Sequence, residues 1–331
     1  MNYTLIFVFL LTVSTACTKV LEISGPSFKP KPVLVGVLHP DSSLSVRLFM
    51  SRAANDTAQY KPISSSAVTF SEDNTVLGKA VHAGDGFYVL TVKPKEGHTY
   101  KVQAEIPAYG TVEAEDFLPA FPSYMVTVGD RNSLNANSNP DITLQFKKTD
   151  QAYYWIGINA TKLSYLAPRE CWEVDTTGGA LDAECRKYLE KWSTSLSSRS
   201  TVFDMFNGTF DELHNYYYFS SLVRLLPEFV KDSQRPEVTF ATVGQGGSWT
   251  RNHPGEENVL ELTVAGPAFD TYLKTSLFSL ENQLVDSQGK IQNPFAEPTS
   301  ASSNVKNGLG IFGARNGKYI SLKLNSTVSK N

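Results

Sequence analysis

At 331 residues, with 41% hydrophobic content and a formal net charge of -3, the chain is long enough for about two domains with real cores. Lys and Arg never form a run of four, so no basic stripe is offered and nucleic acid is not expected as a partner. The five histidines lie far apart without HxH or HExxH spacing, and the three cysteines form no CxxC pair, so neither a metal nor any cofactor is expected.

In chain order, the first element is the apolar run from Leu5 to Val13, followed by Ser14, Thr15, Ala16 and Cys17. It is too short to span a bilayer as a helix and has the size of a signal-peptide core. A cysteine directly after small residues reads as a bacterial lipoprotein signal: residues 1–16 are removed, Cys17 is lipidated, and residues 17–30 form an anchored linker. An ordinary secretory peptide cleaved nearby is the alternative. Lipidation of Cys17 leaves Cys171 and Cys185 as an even pair in an oxidising compartment. A disulfide between them would close a loop of ~15 residues and contribute ~3 kcal/mol in the chain-entropy model; two unpaired thiols are the alternative.

From Lys31 to Asp116 apolar residues alternate with a period of two, as in Val33, Val35, Val37 and in Leu44, Val46, Leu48, Met50. "GFYVLTVK" and "TYKVQAEIP" continue the pattern, and "HPDSS", "SEDN", "AGDG" and "KEGH" supply turns. Short alternating strands between turn formers predict an antiparallel β-sandwich of immunoglobulin or transthyretin type over 31–120. The proline-bearing "FLPAFPS", residues 117–123, is the expected boundary.

Residues 121–331 are expected to be a β-barrel-like or curled-sheet domain carrying at least two α-helices. Strands are predicted at "YMVTVGD", "DITLQFKKT", "YYWIGINATKL", "PEVTFATV", "NVLELTVAG" and "KYISLKL". Helical spacing of Leu181, Cys185, Leu189 and Trp192 predicts a helix near 180–195. A second is predicted over 267–284, from Pro267 at its start and a stripe of Phe269, Tyr272, Leu273, Leu277, Leu280 and Leu284. The dense apolar stretch from Phe206 to Val230 shows no period and is left unassigned.

Candidate chemistry is sparse. GxSxG is absent, and Ser248 in "GQGGSWT" reads as a loop residue. Glu113, Glu115 and Asp116 in "EAED" read as a solvated edge that discourages strand addition. Asp56-Thr57-Ala58 resembles an O-glycan acceptor. Aromatic residues are the remaining ligand or partner candidates: Tyr153 and Trp155 on one face of a strand with Tyr154 on the other, and the cluster Tyr216, Tyr217, Tyr218. "GLGIFG", residues 308–313, spells GxGxxG but is followed by a turn and a strand, not by the helix that a pyrophosphate requires. Gly308, Gly310 and Gly313 are therefore expected to permit unusual backbone angles or close strand approach.

Several strings together resemble one family: the lipoprotein-like start, "PVLVGVLHPDSSLSVRL", "GHTYKVQAEIPAYGTVEAEDFLPA" and, most specifically, "NPFAEPTSASSNVKNGLGIFGA". They are similar to the Bacteroidota outer-membrane lipoproteins of domain-of-unknown-function family 4249. The resemblance marks Pro294, Phe295, Glu297, Pro298, Asn304, Gly308, Gly310 and Gly313 as motif residues and transfers no catalytic set. It implies an outer-membrane location and company with TonB-dependent receptors. The expected function is thus a non-enzymatic, lipid-anchored binding or accessory protein, working with such a receptor in nutrient uptake or surface assembly. Its expected partners are the membrane, that receptor, and a glycan or small nutrient. An envelope hydrolase acting on glycans or peptides and a purely structural envelope protein are the alternatives.

Overall fold

The computed structural model describes residues 28–53, 56–129, 139–173, 181–212, 216–219, 222–243, 249, 256–281 and 300–330. Cys17 with its apolar run, Ser248, Leu284, Pro294, Phe295, Glu297 and Pro298 lie outside them.

The alternating N-terminal region folds into eight strands: β1 (Pro32–Leu38), β2 (Leu44–Met50), β3 (Ala67–Glu72), β4 (Thr75–Lys79), β5 (Val81–Gly84), β6 (Phe87–Leu90), β7 (His98–Ile106) and β8 (Gly110–Leu118). Their inward residues, among them Leu34, Leu48, Phe70, Tyr100, Val102 and Val112, share one core. In β1 the inward set is Leu34, Gly36 and Leu38, while Val35 and Val37 face solvent. Both sets are apolar, so alternation alone does not say which face is buried.

Twelve further strands follow: β9 (Tyr124–Val128), β10 (Ile142–Phe146), β11 (Tyr153–Leu163), β12 (Leu189–Thr194), β13 (Leu196–Ser198), β14 (Gly208–Asp211), β15 (Tyr216–Phe219), β16 (Leu222–Arg224), β17 (Glu237–Thr242), β18 (Glu257–Ala265), β19 (Leu309–Leu322) and β20 (Ser326–Lys330). A second core is built from residues such as Val126, Leu144, Tyr154, Ile158, Phe240 and Leu260. The sheets run β12-β11-β18-β19-β1-β2-β6-β5 with β16 also on β11, β14-β15-β13-β17-β10-β9-β20, and β4-β3-β7-β8. The architecture is mainly β and sandwich-like, and no sheet closes into a barrel among the described residues.

One strand stitches the two cores together. The first part of β19 pairs in parallel with β1, from Val33 opposite Leu309 to Leu38 opposite Ala314. Its remainder pairs antiparallel with β18, from Ala265 opposite Arg315 to Asn258 opposite Leu322. Phe312 and Ala314 thereby enter the first core, and Ile320 and Leu322 the second. The residues 31–120 do not complete their own core, since Val305, Phe312 and Ala314 from the far end of the chain belong to it. The turn expected after Gly313 is not there, because Arg315 to Lys318 are held in the ladder by β18.

The helix expected near 180–195 is also corrected. Only Ala183–Arg186 is helical, with Asp182 capping it through the Cys185 N–H. Leu189–Thr194 is a strand paired with Ile158–Leu163 of β11, and Trp192 is exposed. The free edge of β11 offers backbone partners that outweigh a weak helical spacing. Cys171 and Cys185 are disulfide-bonded, with Cα atoms 5.4 Å apart, inside a small separate core with Leu163, Ala167 and Leu181. The second predicted helix forms over Pro267–Glu281 and is called the long helix below. Phe269, Tyr272, Leu273 and Leu277 pack toward Trp155, whereas Leu280 is 59% exposed and leaves the stripe.

Candidate functional site

β11 has protein on both faces, which decides the fate of its aromatics. Tyr154 is buried in the second core, stacked near Phe146, with its hydroxyl hydrogen-bonded to Thr149. Trp155, fully buried on the other face, lies under the long helix and donates from Nε1 to Asp270 Oδ1 at 2.9 Å. Neither ring is open to a ligand. Tyr153 is half-buried, its ring 5.2 Å from the Arg224 guanidinium. Tyr216 lies in β15, its side chain outside what is described. Tyr217 and Tyr218 are half-buried, and the Tyr217 ring is 4.7 Å from that of Phe210.

Beneath Tyr153 sits a lattice of buried charges. Arg224 Nε and Nη2 donate to the two oxygens of Asp270 at 2.8 and 2.6 Å, and Nη1 donates to Asp204 Oδ2 at 3.0 Å. Lys274 Nζ reaches the same Asp204 oxygen at 2.8 Å. Burial opposes the guanidinium charge, but the two carboxylates more than compensate and raise the Arg224 pKa. Burial would raise Asp204, yet Lys274 and Arg224 hold it below the usual carboxylate range. A pair satisfied this completely is held for structure: it ties the long helix to β16 and to the turn at Asp204.

A second buried carboxylate forms the seam between the cores. Asp116 of β8 is 5% exposed, not the solvated edge residue that "EAED" predicts. Its Oδ1 accepts from the N–H groups of Phe117 and Ala268 at 3.0 Å each, and its Oδ2 from those of Phe269 at 3.1 Å and Ala314 at 2.7 Å. It thus caps the first turn of the long helix from another element and also pins β19. Burial pushes its pKa up to about 6, against the pull of these donors. Its neighbour Glu113 stays at the surface, where Lys101, Gln103 and Lys306 hold it down at about 2.

The motif residues line the same seam. Asn304 Nδ2 donates to the carbonyls of Glu115 and Phe312 at 2.9 and 2.8 Å, and its Oδ1 accepts the Phe312 N–H at 3.0 Å. Its side-chain amide therefore replaces a backbone partner for β19 and clips that strand to β8. Gly310 has φ +109°, and a Cβ there would collide with the Leu34 carbonyl oxygen. A Cβ on Gly308 would meet the Pro32 oxygen at 2.9 Å, and one on Gly313 the Phe269 ring at 2.6 Å. "GLGIFG" is a strand lying close against β1 and the long helix; no glycine turn opens a helix here.

Among the described residues, a groove lies open to solvent where the connection after β8 crosses to the second core. One cavity of about 400 Å³ is lined by Gly97, Phe117, Phe121, Lys147, Lys148 and Asp150, among others. A neighbouring one of about 290 Å³ shares Ser123 and Lys147 and adds Tyr124, Arg235 and Lys330. Lys318 Nζ lies 5.4 Å from the Phe121 ring and against the Lys330 ammonium, a contact that lowers the Lys330 pKa. Lys148 Nζ is turned to the Lys231 carbonyl at 2.9 Å.

The family model described as "Domain of unknown function (DUF4249)" matches residues 18–319. The chain belongs to this family. Among curated proteins none matches it. The DUF4249 match spans both cores, the Asp116 seam and the groove residues up to Lys318. Of the residues that organise this DUF4249 chain, sequence reasoning missed Arg224, Asp204, Asp270 and Lys274, which lie in separate segments and meet only in the fold. Asp270 and Lys274 stand four apart on a predicted helix, an ordinary surface pair until Arg224 is brought against them. Lys147 and Lys148, adjacent at the end of a predicted strand, were the one visible hint of the groove. Thr57 is exposed in a loop.

Proposed function

We propose that this protein is a lipid-anchored protein of the outer membrane that binds a ligand as an accessory to a TonB-dependent receptor, in nutrient uptake or surface assembly. The observation that carries the reading is the groove: it is the open, charged concavity at the junction of the two cores, whereas the buried charges elsewhere are consumed by one another. Family membership and the Leu5 to Cys17 signal support the anchored location. Of the aromatic residues first singled out, Tyr154 and Trp155 do not carry the binding, since they are core.

Purification of the native protein from solubilised membranes tests the reading. A mass increase on Cys17 matching acylation, together with co-purification of an outer-membrane receptor, is the expected result. An unmodified Cys17, or recovery without any envelope partner while a deletion strain grows normally on varied nutrients, would overturn it.

A further inference from the structure

The groove carries a statement about ligand chemistry, which rests on the binding reading above. Its cations come from four separate stretches of chain: Lys147 after β10, Arg235 before β17, Lys318 in β19 and Lys330 in β20. Among the described residues, none of these four has a carboxylate within ion-pair distance. Glu96 attracts Lys330 but forms no ion pair with it among the described residues. Both oxygens of Glu96 are engaged, Oε2 by the Phe121 N–H at 3.1 Å and Oε1 by Asn316 Nδ2 at 2.8 Å. Asp150 lines the larger cavity beside Lys147 and Lys148.

On the first core, Lys101 and Lys306 are bridged by Glu113. Here Lys318 lies against Lys330, and its repulsion outweighs the attraction of Glu96. Two ammonium groups in contact repel, and an anion placed between them turns that repulsion into two charge-assisted hydrogen bonds. The Phe121 and Tyr124 rings, 5.9 Å apart and edge to face, give the same groove an apolar wall.

We infer that the groove at the junction of the two cores binds a small polyanion bearing phosphate or carboxylate groups, held by Lys147, Lys318, Lys330 and Arg235 against the Phe121 wall. The cavity volumes suit a compact metabolite and leave no room for a folded partner. Because Gly97 and Phe117 come from the first core and Lys147 and Lys330 from the second, the ligand would touch both.

Calorimetric titration of the full chain with pyrophosphate and, separately, with citrate tests this and tells the two anion chemistries apart. Lys147→Gln/Lys330→Gln is the groove variant, and Lys79→Gln, an exposed lysine on β4, is the control. The expected result is one saturable site for at least one anion, weakened about tenfold or more in the groove variant and unchanged in the control. Affinity should also fall as salt is raised. Absence of binding by both anions, or equal affinity in wild type and groove variant, would overturn the inference. That failure would be distinct from failure of the accessory reading, which is judged by acylation of Cys17 and receptor recovery in a separate preparation.

Discussion

Two junctions join the cores of this protein, and they treat charge in opposite ways. At the seam one carboxylate, Asp116, is withdrawn from water and surrounded by four backbone N–H groups from β8, the long helix and β19. At the groove four cations remain half-buried or exposed and lack acidic partners among the described residues. The difference separates structural from functional charge. A buried ion survives only when its hydrogen bonds are complete, so the seam is committed to holding the fold. Cations left in water without ion pairs add little to stability, and like charges in contact detract from it, so the inferred anion would account for their placement.

The largest effects should come from breaking the buried side of this comparison. Arg224→Met strands Asp270 and Asp204 without their shared guanidinium and is expected to cost about 3–5 kcal/mol. Denaturant unfolding monitored by circular dichroism would measure it. Gly310→Val comes next, at about 3 kcal/mol, from left-handed backbone strain and collision with β1. Its readout is folding yield and the unfolding midpoint, and nothing about nucleotides should change.

The smallest and most specific effect is a slope. The folded pKa of Asp116, about 6, lies above the model carboxylate value of 3.8, so the native state holds this proton more tightly than the unfolded chain does. Its contribution is therefore full below about pH 4 and is lost as pH rises through about 6, to a total of roughly 3 kcal/mol at most. Asp116→Asn should remove that slope between pH 4 and 7. Glu113, whose pKa is lowered, works in the opposite sense: its contribution is present above about 4.5 and lost as pH falls toward 2. The two windows barely overlap, so unfolding measured at pH 4.5 and 7 isolates Asp116.

The contrast also marks what could be read from the chain. Strands that alternate over a single core, such as β2, β7 and β18, were legible because burial on one face leaves a period of two. The Pro267 helix was legible because its start and stripe agree. The segment after Cys185 misled because Leu189 and Trp192 share a spacing with a helix, while the open edge of β11 claimed the backbone. The aromatics of β11 suggested ligand contact on alternate faces, but the second core takes Tyr154 and the long helix covers Trp155. Asp116 and the Arg224 lattice were invisible for a common reason: apart from the Phe117 N–H, their partners are 20 to 198 residues away, and nothing local distinguishes a capping aspartate from an exposed one.

Parallel measurement of thermal midpoint and pyrophosphate and citrate affinity at pH 7 in two variants, Asp116→Ala and Lys147→Gln/Lys330→Gln, tests the division most directly. The seam variant should lose stability because four backbone N–H groups then lose their acceptor, and it should bind the anion normally once folded. The groove variant should keep its midpoint within about 1–2 °C and lose the anion. A groove variant that unfolds early while still binding, or a seam variant as stable as wild type, would contradict the account.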